Sequence, residues 1–161
     1  MGAGAWESHH AITSLMYRYA ESVDAADFDA IAELFAHARI TTRGMEGATV
    51  GAEAVRSLYA GTNKVHPDGT LRTRHLCTNV LVDVDEAGDA ATARSSFLVL
   101  QATPDLPFQP IVAGRYWDHF ERVDGAWRFA EREMGVEQVG DVHEHLAFDL
   151  AAFMDGGESR D

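Results

Sequence analysis

Residues 111–136 read IVAGRYWDHFERVDGAWRFAEREMGV, and the architecture turns on this stretch. Ile111 to Val123 and Trp127 to Val136 are rich in β-branched and aromatic residues. Between them, Asp124-Gly125 is the dipeptide that a tight hairpin turn selects. Two antiparallel strands are therefore expected here. Upstream, Thr73 to Val84 and Ala90 to Ala102 have the same texture and are separated by a turn at Glu86 to Asp89. The connection to Ile111 holds Pro104, Pro107 and Pro110. It is expected as a longer loop at the sheet edge, because proline cannot donate to a ladder. The second half of the chain thus predicts a four-strand antiparallel meander.

Toward the N-terminus the period changes. Ile12, Leu15, Met16, Tyr19 and Val23 recur at helical spacing, with Ser8 as a cap upstream. Phe28, Ile31, Leu34 and Phe35 form the apolar face of a second helix that Asp27 can cap. Arg39 to Arg43 reads as a short strand ending at Gly44. Gly51 to Tyr59 reads as a third helix, buried through Val55, Leu58 and Tyr59. Gly61 to Thr70, with Pro67-Asp68-Gly69, has the turn chemistry of a loop. Beyond the meander, Gly140 to Phe153 can form one more helix. Its Leu146, Phe148, Leu150 and Phe153 are expected to cap a pocket or join a subunit contact. Gly156 to Asp161 are expected to be disordered.

Helices followed by a meander is the pattern of an α+β domain. The 161 residues make a single domain, with a core at about 7–136 and a tail at 137–161, and they contain no internal repeat. Composition is that of a globular protein, 46% hydrophobic and 24% charged. No run approaches the roughly 18 consecutive apolar residues of a membrane span, and no basic-then-apolar leader opens the chain. The formal net charge of −13 repels phosphate backbones, and no basic stripe offsets it, so neither nucleic acid nor membrane is an expected partner. Cys77 is the only cysteine, which suits a cytoplasmic location.

Three stretches resemble a known family: Leu15 to Phe35 (LMYRYAESVDAADFDAIAELF), Thr73 to Val80 (TRHLCTNV) and Gly114 to Arg132 (GRYWDHFERVDGAWRFAER). With the element order, they resemble the nuclear transport factor 2-like superfamily, and within it the SnoaL-like branch of polyketide cyclases, scytalone dehydratase and related dehydratases. The resemblance implies a cone-shaped α+β barrel whose N-terminal helices pack on a curved, mostly antiparallel sheet that encloses a pocket. It also implies a homo-oligomer, dimer or trimer. In the dehydratase-like members an aspartate near the end of the first helix pairs with a histidine at the start of the first long strand. Asp24 and His75 match those positions. Tyr19 matches a tyrosine five residues before the aspartate in the bile-acid dehydratase, and Arg132 matches an arginine on the last strand. Scytalone dehydratase uses a second histidine on a neighbouring strand, and Ala90 to Ala102 contains none.

The residue types fit general acid–base chemistry. A histidine titrates near neutrality, and a carboxylate on one ring nitrogen fixes its tautomer and stabilises the imidazolium. His75 would remove a proton from carbon, Asp24 would orient it, Tyr19 would donate to the developing charge, and Arg132 would hold the departing anion. The set needs no metal and no cofactor. Each residue also has a plain structural alternative. Asp24 can cap a turn, His75 can be satisfied by a backbone carbonyl, and Tyr19 lies on the apolar stripe of its helix. Strict alternation sets Arg132 with Arg128 and Ala130, opposite Trp127 and Phe129, and only one of these faces lines the pocket unless a bulge intervenes. Met16, Phe97 and Trp117 read as core or pocket lining, and His119 as a pocket wall or a solvated strand residue. His143 and His145, two apart, lack the spacing of a helical zinc pair.

The expectation is a cofactor-independent lyase, a dehydratase acting on a small, apolar, oxygenated molecule. One alternative is a polyketide cyclase or ketosteroid isomerase-like enzyme with Asp24 as base. Others are a non-catalytic ligand-binding or dimerisation module, and a small subunit of an oxygenase.

Overall fold

The computed structural model describes residues 3–149. Helix α1 (Ala3–Asp24) is followed by α2 (Phe28–Leu34), β1 (Arg39–Thr42), β2 (Thr49–Val50) and α3 (Ala52–Thr62). The meander then runs β3 (Thr73–Asp85), β4 (Ala90–Thr103), β5 (Leu106–Val123) and β6 (Ala126–Val139). Six strands form one open sheet in the order β2-β1-β6-β5-β4-β3. All neighbours are antiparallel except β1 and β6, which run parallel. Among the described residues, no helix is long and apolar enough to cross a membrane.

The helices cover one face of the sheet, as their apolar stripes require. Ile12, Met16, Tyr19 and Val23 recur every three or four residues on α1 and are all buried, so one side of the helix lies on the sheet. The Asp27 carboxylate caps α2 by accepting from the Ala30 N–H at 3.0 Å. Ser8 caps nothing: α1 begins upstream at Ala3, and Ser8 lies inside it, buried. α3 continues past Tyr59 to Thr62, shortening the expected loop.

The meander departs from expectation at its prolines. Pro107 and Pro110 lie within β5, and only Pro104-Asp105 remains as a turn. The reason is pairing on one side alone. β6 reaches β5 no further than Val112, so the stretch Leu106 to Pro110 has β4 as its one neighbour, through an irregular register. A residue without an N–H is tolerated there.

Two irregularities place side chains. Between β5 and β6 the register steps from His119↔Glu131 to Phe120↔Phe129, which leaves Ala130 unpaired. That bulge shifts the parity of β6, so Phe129 and Arg132 both face the helices and both are buried. At Gly114 the strands crowd together. An added Cβ would lie 2.0 Å from the Gly135 carbonyl oxygen and 2.8 Å from the Phe97 ring. Gly114→Ala is therefore expected to destabilise the protein by about 3 kcal/mol, read as a lower thermal midpoint; an unchanged midpoint would show that the strands separate freely there.

The C-terminal segment forms no helix within the described residues. His143 to His145 make a turn and Leu146 bridges to Asn63. Leu150, Phe153 and the expected disorder at Gly156 to Asp161 lie outside the described residues.

Candidate active site

The last residue of α1 and the first turn of β3 meet through one carboxylate. Asp24 Oδ1 accepts from His75 Nδ1 at 2.7 Å and from the Thr73 hydroxyl at 2.7 Å. The His75 backbone N–H lies 3.1 Å from both carboxylate oxygens. Thr73 and His75 alternate on β3 and so share its helix-facing side. The Leu71 N–H donates to the Asp24 carbonyl and pins the strand's approach to the helix end. Among the described residues, no turn is capped by the Asp24 side chain. Burial works against the ionised form of Asp24, but the hydrogen bonds and charge of His75, together with Thr73 and the His75 N–H, outweigh it and lower its pKa.

An ionised carboxylate accepts only, so Nδ1 of His75 is the donor in this bond, and whenever the ring is neutral its lone pair lies on Nε2. Nε2 makes no hydrogen bond among the described residues and is not sealed from solvent. Asp24 and His75 border an open groove of about 970 Å³ between α1 and the sheet edge, with Tyr17, Cys77, Leu100 and Phe108 among its other walls. Burial pushes the Cys77 thiol up, which keeps it protonated. Among the described residues there is no cluster of histidine, cysteine and carboxylate groups that could hold a metal ion.

Tyr19 and Arg132 lie apart from this groove, in the core. The Tyr19 hydroxyl hydrogen-bonds the Tyr59 hydroxyl at 2.9 Å. Arg132 is fully buried and forks onto Asp118, with Nε–Oδ1 at 2.7 Å and Nη2–Oδ2 at 2.8 Å. Its Cζ sits 4.0 Å from the Tyr116 ring centre and 4.3 Å from that of Tyr19, so the guanidinium is boxed by aromatic faces. Burial opposes this charge, yet Asp118 holds the Arg132 pKa above its usual range. Asp118, a plain strand residue by sequence, is thus the counter-ion of the core.

Met16 and Phe97 are buried core. Trp117 and His119 require a correction. They alternate with Tyr116 and Asp118, which face the helices, so both project from the outer face of the sheet. There Arg43 covers the Trp117 ring at 3.6 Å, and His119 is exposed. Neither shares a space with His75.

The residue that sequence reasoning passes over is His145. Its ring centre lies 6.2 Å from that of His75 and it is 8% exposed. No local spacing signals this, since the segment reaches the site through the Asn63–Leu146 bridge. Burial, and then the nearby His75 ring, lower the His145 pKa from 6.5 to about 4, with His66 acting in the same direction and Asp24 opposing. Between those values the unfolded chain binds a proton that the fold refuses. Stability is therefore full above pH 6.5 and is lost as pH falls toward about 4, by an amount on the order of 3 kcal/mol. Asp24 adds loss in the same direction as acid protonates it. Thermal midpoints should fall over this window, and less steeply in His145→Phe; parallel slopes would remove His145 from the account.

A family model described as a SnoaL-like domain matches residues 5–133. The chain belongs to the SnoaL-like family. Solved structures similar to this SnoaL-like domain include a protein of unknown function from Mycobacterium tuberculosis, with 27% identity, TM-score 0.70, and 86% of this chain and 78% of that one covered. Another is an NTF2-like protein of cystatin-like fold from Novosphingobium aromaticivorans, with 24% identity, TM-score 0.70, and 86% and 87% covered. A third, from the same organism, is designated a candidate scytalone dehydratase, with 23% identity, TM-score 0.71, and 89% and 93% covered. The nuclear transport factor 2-like fold of this SnoaL-like domain is thereby shown. No curated protein sequence matches it.

Proposed function

We propose that this SnoaL-like domain is a cofactor-independent lyase that removes water from a small, largely apolar hydroxy-carbonyl compound. The observation that carries the reading is the 2.7 Å hydrogen bond from His75 Nδ1 to Asp24, which keeps Nε2 out of the pair in a side chain that borders the groove. Nε2 takes the proton from the carbon beside the carbonyl, and the electron pair of that C–H bond goes toward a new C=C bond. The C–O bond to the hydroxyl breaks with its electrons on oxygen. The proton on His75 then passes to that oxygen, which leaves as water, and the histidine is restored. Asp24 stabilises the imidazolium in between. The solved relative designated a candidate scytalone dehydratase is consistent with this class of reaction.

Asp24 is poorly placed to be the base itself. Its carboxylate is occupied by three donors, and they lower its proton affinity, the opposite of what a carbon base needs. This argues against the isomerase and cyclase alternative. Tyr19 and Arg132 are given no step in this scheme, because neither borders the groove: the Tyr19 hydroxyl meets that of Tyr59, and Arg132 forks onto Asp118 through Nε and Nη2.

The test uses the aldol of acetone with benzaldehyde, whose dehydration yields a conjugated, ultraviolet-absorbing enone. The wild-type protein is expected to speed the rise in absorbance. Tight binding of this and related ketols without turnover would favour a non-catalytic ligand carrier.

A further inference from the structure

After β6 the chain turns back over the loop that precedes β3. Lys64 N–H donates to the His145 carbonyl at 2.9 Å, and Ala147 N–H to Thr62 O at 3.0 Å. Gln101 Nε2 donates to Glu144 O at 2.9 Å, His66 Nε2 hydrogen-bonds the same carbonyl, and Lys64 Nζ pairs with the Glu144 carboxylate at 2.6 Å. None of these ties uses the ring of His145. The strap would be held as well with an apolar side chain at this position.

The ring itself is in an unfavourable state. It is 8% exposed, and its Nδ1 is buried with no hydrogen-bond partner among the described residues. An unmet buried polar atom costs about 1–3 kcal/mol. Its nearest aromatic partner is His75, with ring centres 6.2 Å apart and no hydrogen bond between the rings. One oxygen atom, hydrogen-bonded to both rings at about 2.9 Å each, spans a gap of that size.

We propose that His145 is a substrate-binding residue, and that its ring and that of His75 grip between them the hydroxyl oxygen that departs. The kinetic part of this inference rests on the elimination proposed above; the geometric part does not. His145 remains neutral at neutral pH, so it offers one N–H and one lone pair. It transfers no proton. Its N–H steadies the negative charge as the C–O bond breaks, and the proton that completes water comes from His75. This places a donor beside His75, whereas the Tyr19 hydroxyl lies against that of Tyr59 in the core.

Two measurements decide it. In a high-resolution crystal structure of the full chain, an ordered solvent oxygen is expected within about 3.2 Å of a nitrogen of each ring. Rings in contact with nothing between them, or Nδ1 bonded to a protein group, would overturn the proposal, whether or not the protein is a lyase. In an active wild-type background, His145→Phe keeps the bulk and removes both nitrogens. It should lower kcat roughly 10²-fold, with His145→Gln restoring part of the loss. Equal kcat in His145→Phe and wild type would equally overturn it. A protein inactive on every ketol would sink the lyase reading and leave the crystallographic result to judge His145.

Discussion

His75→Ala is expected to lose turnover by roughly 10²- to 10⁴-fold while binding the enone product with unchanged affinity. The side chain is 8% exposed and its loss leaves Asp24 with only the Thr73 hydroxyl and a backbone N–H. Asp24→Asn probes the same reaction differently. The amide oxygen still accepts from Nδ1, but the charge that stabilised the imidazolium is gone, and an amide N–H turned toward the ring would select the wrong tautomer. A loss of comparable size in kcat, with little change in ligand affinity, is expected. If both variants keep wild-type kcat on a converted ketol, the base lies elsewhere in the groove. Stability and kcat should be measured together, since Asp24 also joins α1 to β3.

The largest stability effect should come from the core, where the charge is dry. Asp118→Ala would leave the Arg132 guanidinium fully buried and unpaired, at a cost of about 3–5 kcal/mol. That is a large share of the roughly 5–15 kcal/mol by which domains are stable. Replacing both partners, Asp118→Leu with Arg132→Met, removes the two charges together from a box of Tyr19, Tyr116, Phe35 and Phe129. Most of the loss should then be recovered. Denaturant midpoints of the single and paired variants measure this. A stable Asp118→Ala protein would mean that water reaches the guanidinium. The paired variant also tests the sequence expectation that Arg132 holds the departing anion. If it folds and keeps kcat, Arg132 is a strut of the core; if it folds and kcat collapses, Arg132 acts on substrate.

Much of the fold is legible in the amino-acid sequence. The Asp124-Gly125 turn between β-rich runs marks the β5–β6 hairpin, and the stripe from Ile12 to Val23 marks α1, because both signals are local. Asp24 and His75 are legible too, through the resemblance of SVD and TRH to a family pattern rather than through any spacing between them. Other placements are not. Alternation along β5 groups Trp117 with His119, but it does not say which side of the sheet the helices cover, and both lie on the opposite side. The orientation of Arg132 hangs on one extra residue, Ala130, in β6. Bulges arise from how two strands fit, not from the residues of one. Pro107 and Pro110 enter a strand because β6 stops short of them. His145 reaches the dyad because the chain closes between residues 63 and 146. The identity of α1 and of the long meander strands thus follows from the chain alone, since hydrophobic period and turn chemistry act over a few residues. Which face each strand presents, and which distant imidazole stands beside His75, emerge only on folding, because both depend on contacts between segments far apart along the chain.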